Sequence, residues 1–205
     1  MNSKIIFLII FLGLSSLTSA KFIENTDITS YINQLILENK IIFIPAGTFK
    51  IDANNDGEIQ ASEALNVVSL DIRSSSISDL TGIEYFTNLK KIGCYEQNLT
   101  NVDFSQLINL ESISITNSNL QSINLNNLSN LKNINLNYNL LTSLNLSYLT
   151  SLEKLYCFGN QINSLDFANS TFIKEIECSS NSLTSIQISN LPELTLLNCN
   201  DNELQ

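Results

Sequence analysis

Oxygen-bearing side chains recur at alternate positions in one short stretch, Asp52-Ala-Asn54-Asn-Asp56-Gly57-Glu58-Ile59-Gln60-Ala-Ser-Glu63. Asp52, Asn54, Asp56, Glu58 and Gln60 lead to a carboxylate at Glu63, and Gly57 stands where a loop closing on a small ion must turn sharply. Oxygen donors crowded in this way suit a hard cation such as Ca2+, which takes roughly six to eight oxygens. Asn-Asp-Gly also forms a tight turn without any metal, so the residue types admit both readings.

Other chemistry is excluded by composition. The 205 residues include no histidine, which rules out Ser-His-Asp and Cys-His nucleophiles. The four cysteines, Cys94, Cys157, Cys178 and Cys199, form a ladder with no C-x-x-C pair, so a zinc site is not expected. A net charge of −10 with only ten Lys and Arg argues against nucleic acid or an anionic membrane as partner, since both require a basic surface.

From Val67 to Gln205 the chain is organised by repetition. An apolar residue returns every 21 positions at Leu89, Leu110, Leu131, Leu152, Ile173 and Leu194. Each return opens one phrase, plainest in Leu131-Lys-Asn-Ile134-Asn-Leu136-Asn-Tyr-Asn139-Leu-Leu141, apolar at positions 1, 4, 6 and 11 with Asn at 9. An earlier copy begins at Val67 and is one residue longer. The phrase resembles the L-x-x-L-x-L-x-x-N-x-L signature of leucine-rich repeats. The copy closing with Leu80-Thr-Gly82-Ile83 is similar to the 22-residue type of internalins, and the later ones to a 21-residue type in secreted proteins of the Bacteroidetes.

That resemblance implies a mostly β, α/β-type solenoid: a right-handed coil with short parallel strands on its concave face, little helix and a small N-terminal cap. Residues 67–205 supply about six full repeats and a truncated seventh, 21–66 the cap, and 1–20 a leader. Internalins also place an EF-hand-like cap before their repeats, and the 52–63 stretch resembles an EF-hand loop. The resemblance implies a Ca2+ ion held by the side chains of Asp52, Asn54 and Asp56, the backbone carbonyl of Glu58, Gln60 through water, and Glu63 bidentately. Such an ion would fix the cap and catalyse nothing.

Phrase positions 3 to 7 are expected to be strand, with positions 4 and 6 turned inward and 3, 5 and 7 outward onto the concave face. The carboxylates there are Asp71, Glu175 and Glu177, and the first lies five repeats from the others. No acid-base pair follows, and no catalytic residue is assigned. Recognition is better served, because Tyr138, Tyr156 and Phe158 come from adjacent repeats, with Asn135, Asn137 and Glu177 around them and Tyr95 further toward the N-terminus. Aromatic rings offer large contact area at low entropic cost. The expected partner is a protein or peptide, with a glycan or a purely structural spacer as the rival readings.

Cys94, Cys157, Cys178 and Cys199 fall at inward position 6 and are expected to be free, buried thiols. Asn139, Asn160, Asn181 and Asn202 at position 9 are expected to bond turn backbone, while Ser75, Gln97 and Ser118 depart from the pattern. In the returns, pairs such as Leu144 with Leu146 and Ile186 with Ile188 should face the column. Leu128 and Leu149 complete its layers, with Phe172 standing in where Ser170 interrupts. The leader has Lys4, the apolar run Ile5–Leu14 and small residues to Ala20, the pattern of a secretory signal peptide. A secreted or cell-surface protein with no membrane span after its removal is therefore expected. In the cap, a helix over Tyr31–Leu37 and a strand over Ile41–Ile44 are expected. Asn98, Asn127, Asn145 and Asn169 head Asn-x-Ser/Thr sites that matter only in a glycosylating host. The sequence ends one residue past position 11 of a repeat, so either further chain or an open edge strand is expected there.

Overall fold

The computed structural model describes residues 61–73 and 78–205. The leader, the expected helix and strand of the cap, Ser75, and all of the 52–63 stretch before Ala61 lie outside the described residues. What is described is a mostly β parallel solenoid. Its main sheet has seven parallel strands in the order β1 (Ser69–Arg73), β2 (Lys91–Tyr95), β4 (Ser112–Thr116), β6 (Asn133–Asn135), β7 (Lys154–Tyr156), β8 (Glu175–Glu177) and β9 (Leu196–Asn198). On the return side β3 (Asn101–Asp103) pairs with β5 (Ser122–Asn124), also in parallel. Helix is confined, among the described residues, to α1 (Ala61–Ala64) and a 3-10 turn at Ile83–Tyr85.

The register follows the phrase. Lys91 faces Ser112, Ser112 faces Asn133, and so on down the sheet, each step one 21-residue repeat. The first step, Ser69 to Lys91, is one residue longer, as the extra residue of the first copy requires. Leucine, isoleucine or cysteine at positions 4 and 6 stacks above its counterpart, so Leu70, Ile92, Ile113, Ile134, Leu155 and Ile176 form one buried column. Burial of each such side chain contributes roughly 1.5 to 3 kcal/mol, gained only when a neighbouring coil covers it. The last coil shows this directly, because Leu194, Leu197 and Cys199 are only partly buried and Ile188, in register with buried Phe167, is exposed.

The expected five-residue strands appear at β1, β2 and β4, whereas β6 to β9 hold three residues. Asparagine at position 9 explains the difference. The Asn160 amide donates to the carbonyl of Leu136 in the preceding coil at 2.9 Å, the acceptor that a continuing parallel ladder would use. The Phe158 N–H turns instead to the Asn137 side-chain oxygen at 2.8 Å. Asn139, Asn181 and Asn202 take the position-6 carbonyls of Ile115, Cys157 and Cys178 in the same way. Each asparagine also bonds the carbonyl three residues before it and accepts an N–H from position 11 of the preceding coil, as in Leu141 to Asn160 at 3.1 Å. One side chain thus satisfies four backbone groups where the chain leaves the sheet. Ser118 provides a lesser version, accepting from Gln97 N–H at 3.3 Å.

The returns are built from turns. Leu107 N–H bonds Phe104 O and Leu110 N–H bonds Leu107 O, which carries the chain back without an α-helix. Asp103, Asn124, Asn145 and Asp166 each accept the N–H two residues on, at 2.8 to 3.1 Å, closing an Asx turn once per coil. A second asparagine series, Asn88, Asn109 and Asn130, donates to carbonyls of the coil before. Leu128 and Leu149 fill the column as expected, but Phe172 does not stand in for Ser170. Ser170 is fully buried and bonds Leu149 O at 3.3 Å, while Phe172 is 53% exposed. The 21-residue register places Ser170, not Phe172, in line with Leu128 and Leu149.

Candidate functional site

The concave sheet carries the outward residues, and its chemistry is uneven. Just past the ends of β6 and β7 the Tyr138 and Phe158 rings meet edge to face, with centroids 4.8 Å apart and planes at 89°. Two local features hold Tyr138 there. Its backbone is left-handed, φ 57°, and its ring lies over Gly159, where a Cβ would come within 3.2 Å of Tyr138 Cδ1. Glycine at 159 therefore serves twice, since its own φ is 67°. Tyr138 remains 54% exposed.

Tyr156 stands beside this pair on β7 and donates its hydroxyl to Glu175 on β8. Glu175 also accepts from Lys154 at 2.7 Å. Lys154 and Tyr156 together hold the Glu175 carboxyl below its ordinary range, and the same bond to Glu175 pushes the Tyr156 hydroxyl up. The Tyr156 ring is thus pinned by its polar end, leaving ring surface as what it can offer. Tyr95 is separate. Its ring folds over Gly93, where an added Cβ would meet Tyr95 Cε2 at 2.9 Å and Asp71 Oδ1 at 3.3 Å. β2 and β7 are three strand steps apart in the sheet.

The polar residues expected around the aromatics are tied to the fold. Asn135 accepts from Asn137 N–H at 3.2 Å, Asn137 accepts from Phe158 N–H, and Glu177 accepts from the N–H and hydroxyl of Ser179 and from the Asn198 amide. These are the position-7 donors displaced by the asparagine ladder, so the three side chains answer first to the backbone. Of the six residues expected to hold Ca2+, only Glu63 is described. It is buried beside Ala64, at 6% exposure, and Asp52, Asn54, Asp56, Glu58 and Gln60 lie outside the described residues.

The cysteines are free, with Cys94, Cys157 and Cys178 buried and Cys199 half-buried. Burial raises the Cys94 and Cys157 thiols far above their usual range and pushes Cys178 up to about 12. Cys94, Cys157 and Cys178 are inert column residues. On the opposite flank a hollow of about 620 Å3 opens between the first return and β3 and β5. Its carboxylates are engaged locally, Asp79 by Thr81, Glu84 by Gly82 and Asp103 by Ser105.

Sequence reading missed phrase position 8. Glu96, Asn117, Tyr138, Gly159, Ser180 and Asp201 all have φ between 51° and 67°. Their chemistry is unrelated, and the signal that could have found them is their fixed place one residue before phrase position 9.

No protein-family profile matches the chain. Over 61 residues it is 39% identical to internalin J of Listeria monocytogenes, a match spanning 30% of this chain and 6% of that protein. The chain therefore corresponds to a small fraction of that relative's length. In fold it is similar to a leucine-rich-repeat protein of Leptospira interrogans, at TM-score 0.50 and 21% identity over 71% of this chain and 46% of that one. It is similar to TLR13 in complex with ssRNA13 at TM-score 0.50 and 19% identity, over 65% of this chain and 22% of that one. The fold is that of leucine-rich repeats. No described helix is long and apolar enough to cross a membrane.

Proposed function

We propose that the concave face is a non-catalytic surface for recognising another protein, in a secreted or cell-surface setting. The observation that carries this reading is the pre-set aromatic cluster of Tyr138, Tyr156 and Phe158, held by a ring contact, a glycine seat and a carboxylate bond while still open to solvent. Groups fixed before binding lose little freedom on binding. Charge supports the same face, since Lys90 with Glu111, Lys154 with Glu175 and Lys174 with Glu153 neutralise one another across strands. TLR13, similar in fold, is in complex with ssRNA13. Here the net charge of −10 opposes a polyanion over the molecule as a whole.

Peptide and glycan arrays probed in parallel with the wild type and a Tyr156→Ala, Phe158→Ala double variant test the reading. Peptide hits lost in the double variant support it. Hits confined to glycans would transfer the face to carbohydrate adhesion, and an empty array would leave a spacer that presents some other domain.

In the cap, the 52–63 stretch is proposed to hold Ca2+ as a structural ion. The expected outcome is a higher melting temperature with Ca2+ than with chelator, lost in Asp52→Ala and Glu63→Ala. Equal curves would leave the metal-free turn.

A further inference from the structure

The basic residues of the repeats are not spread over the coil. From Val67 onward there are six, Arg73, Lys90, Lys91, Lys132, Lys154 and Lys174, and every one stands at phrase position 2, 3 or 7, on the strand side. Five acidic residues share the strand positions 2 to 7, while the rest of the repeats, positions 8 onward, hold eight acidic residues and no basic one. An acidic protein thus places all of its repeat cations at strand-side positions of the phrase.

Within that face the excess is local. Lys90 pairs with Glu111 at 2.9 Å. Lys91 on β2 and Lys132 just before β6 lie close enough to help hold the Glu111 carboxyl below its usual range, behind the larger effect of Lys90. Lys132 also lies near Glu153 on its other side, so phrase positions 2 and 3 carry five lysines, Lys90, Lys91, Lys132, Lys154 and Lys174, against three glutamates, Glu111, Glu153 and Glu175, and both Lys91 and Lys132 are exposed. Beside them β4 and β6 present only small outward groups, Ser112, Ser114, Asn133 and Asn135. Tyr95 on β2 bounds this low stretch at one end, and Tyr156 and Phe158 bound it at the other. Three strand spacings separate the two aromatic walls, about 14 Å, which an extended chain covers in about four residues.

We propose that the concave face selects an acidic, extended segment of a partner protein, lying across β4 and β6, with apolar side chains about four residues apart against Tyr95 and the Tyr156–Phe158 wall and carboxylates between them meeting Lys91 and Lys132. This deepens the recognition reading and rests on it. The small hydroxyl and amide floor leaves room for a main chain, and the excess of two lysines at positions 2 and 3 supplies the sign of charge. Partners of like charge to the rest of the molecule are steered to this face alone.

The test uses the full chain and four labelled probes in fluorescence anisotropy: the random copolymers poly(Glu,Tyr) and poly(Lys,Tyr), poly-Glu, and oligo-dT. Expected is binding of poly(Glu,Tyr) at least about tenfold tighter than the other three, weakening roughly tenfold between low and moderate salt as screened contacts are lost. Lys91→Glu with Lys132→Glu should cost at least about tenfold, whereas Ser129→Glu with Thr150→Glu, which adds negative charge to the returns, should change it less than about twofold. Circular dichroism melts confirm that each variant is folded. Equal or tighter binding of poly(Lys,Tyr) or oligo-dT, or indifference to the lysine reversals, overturns the proposal. Array peptides lost on Tyr156→Ala, Phe158→Ala yet showing no acidic preference would remove this inference and leave the recognition reading standing. Array hits unaffected by that double variant would remove both.

Discussion

Asn160 shows how much one side chain settles. Its amide donates to Leu136, Cys157 and Phe158 carbonyls and its oxygen accepts from Leu141 N–H. Asn160→Asp keeps the shape and the acceptor but loses both amide protons and sets a negative charge against carbonyl oxygens. With buried acceptors left unmade, a loss of about 3 kcal/mol or more is expected in urea unfolding, and a change under 1 kcal/mol would contradict the ladder. Asn137→Ala should cost about 1 to 3 kcal/mol by stripping Phe158 N–H of its acceptor, and Asn137→Asp should cost less. At position 8 the left-handed backbone penalises Ser180. Ser180→Asn, a residue that tolerates this conformation, should raise stability by about 0.5 kcal/mol. The asparagines at position 9 were legible because their type recurs. The left-handed residues before them were not, because what they share is a torsion angle and no chemistry. Asn135, Asn137 and Glu177 read as a binding rim for a related reason: that the ladder would free a neighbouring N–H is visible only in three dimensions.

At the scale of the coil, parallel strands in register place charges from successive repeats side by side. Lys90–Glu111, Glu153–Lys174 and Lys154–Glu175 result, and Glu111, Glu153 and Glu175 are all held below their ordinary range by bonds from these lysines. A folded-state carboxyl pKa below the unfolded one gives stability that is present above the unfolded value, near about 4.3, and disappears as the pH falls through the folded value. Melting temperature should therefore drop on acidification below that point, by less in high salt because the pairs are exposed and screened. An unchanged melting temperature in low salt would argue that the pairs add nothing. The strand positions of these coils followed from apolar spacing, since positions 4 and 6 must face the column. The shortening of β6 to β9 did not, because it depends on which side chain competes for a carbonyl. Phe172 misled for the opposite reason, where hydrophobicity was weighed above register.

At the scale of the molecule, the described residues form a column whose inward places before the last coil are committed to packing and whose outward strand face carries the remaining variety. The thiols belong to the column. Four alkylatable cysteines are expected in the denatured, unreduced protein, and in the folded protein Cys94 and Cys157, buried with raised pKa values, should react far more slowly than half-buried Cys199. Fewer than four would mean a bridge that the ladder geometry does not provide. The solenoid was legible across two thirds of the sequence because a fixed period leaves few alternatives. The orientation of the cations was legible there too, but acquired meaning only when β2, β4, β6 and β7 were placed side by side. The central claim is that the strand face around Tyr156 and Phe158 binds a protein ligand. Its most direct measurement is the affinity of an array-selected peptide for the wild type and for Tyr156→Ala, Phe158→Ala at matched folded fraction. The account predicts a loss of at least about tenfold, the scale of one lost aromatic anchor. Equal affinity in the two proteins would contradict it.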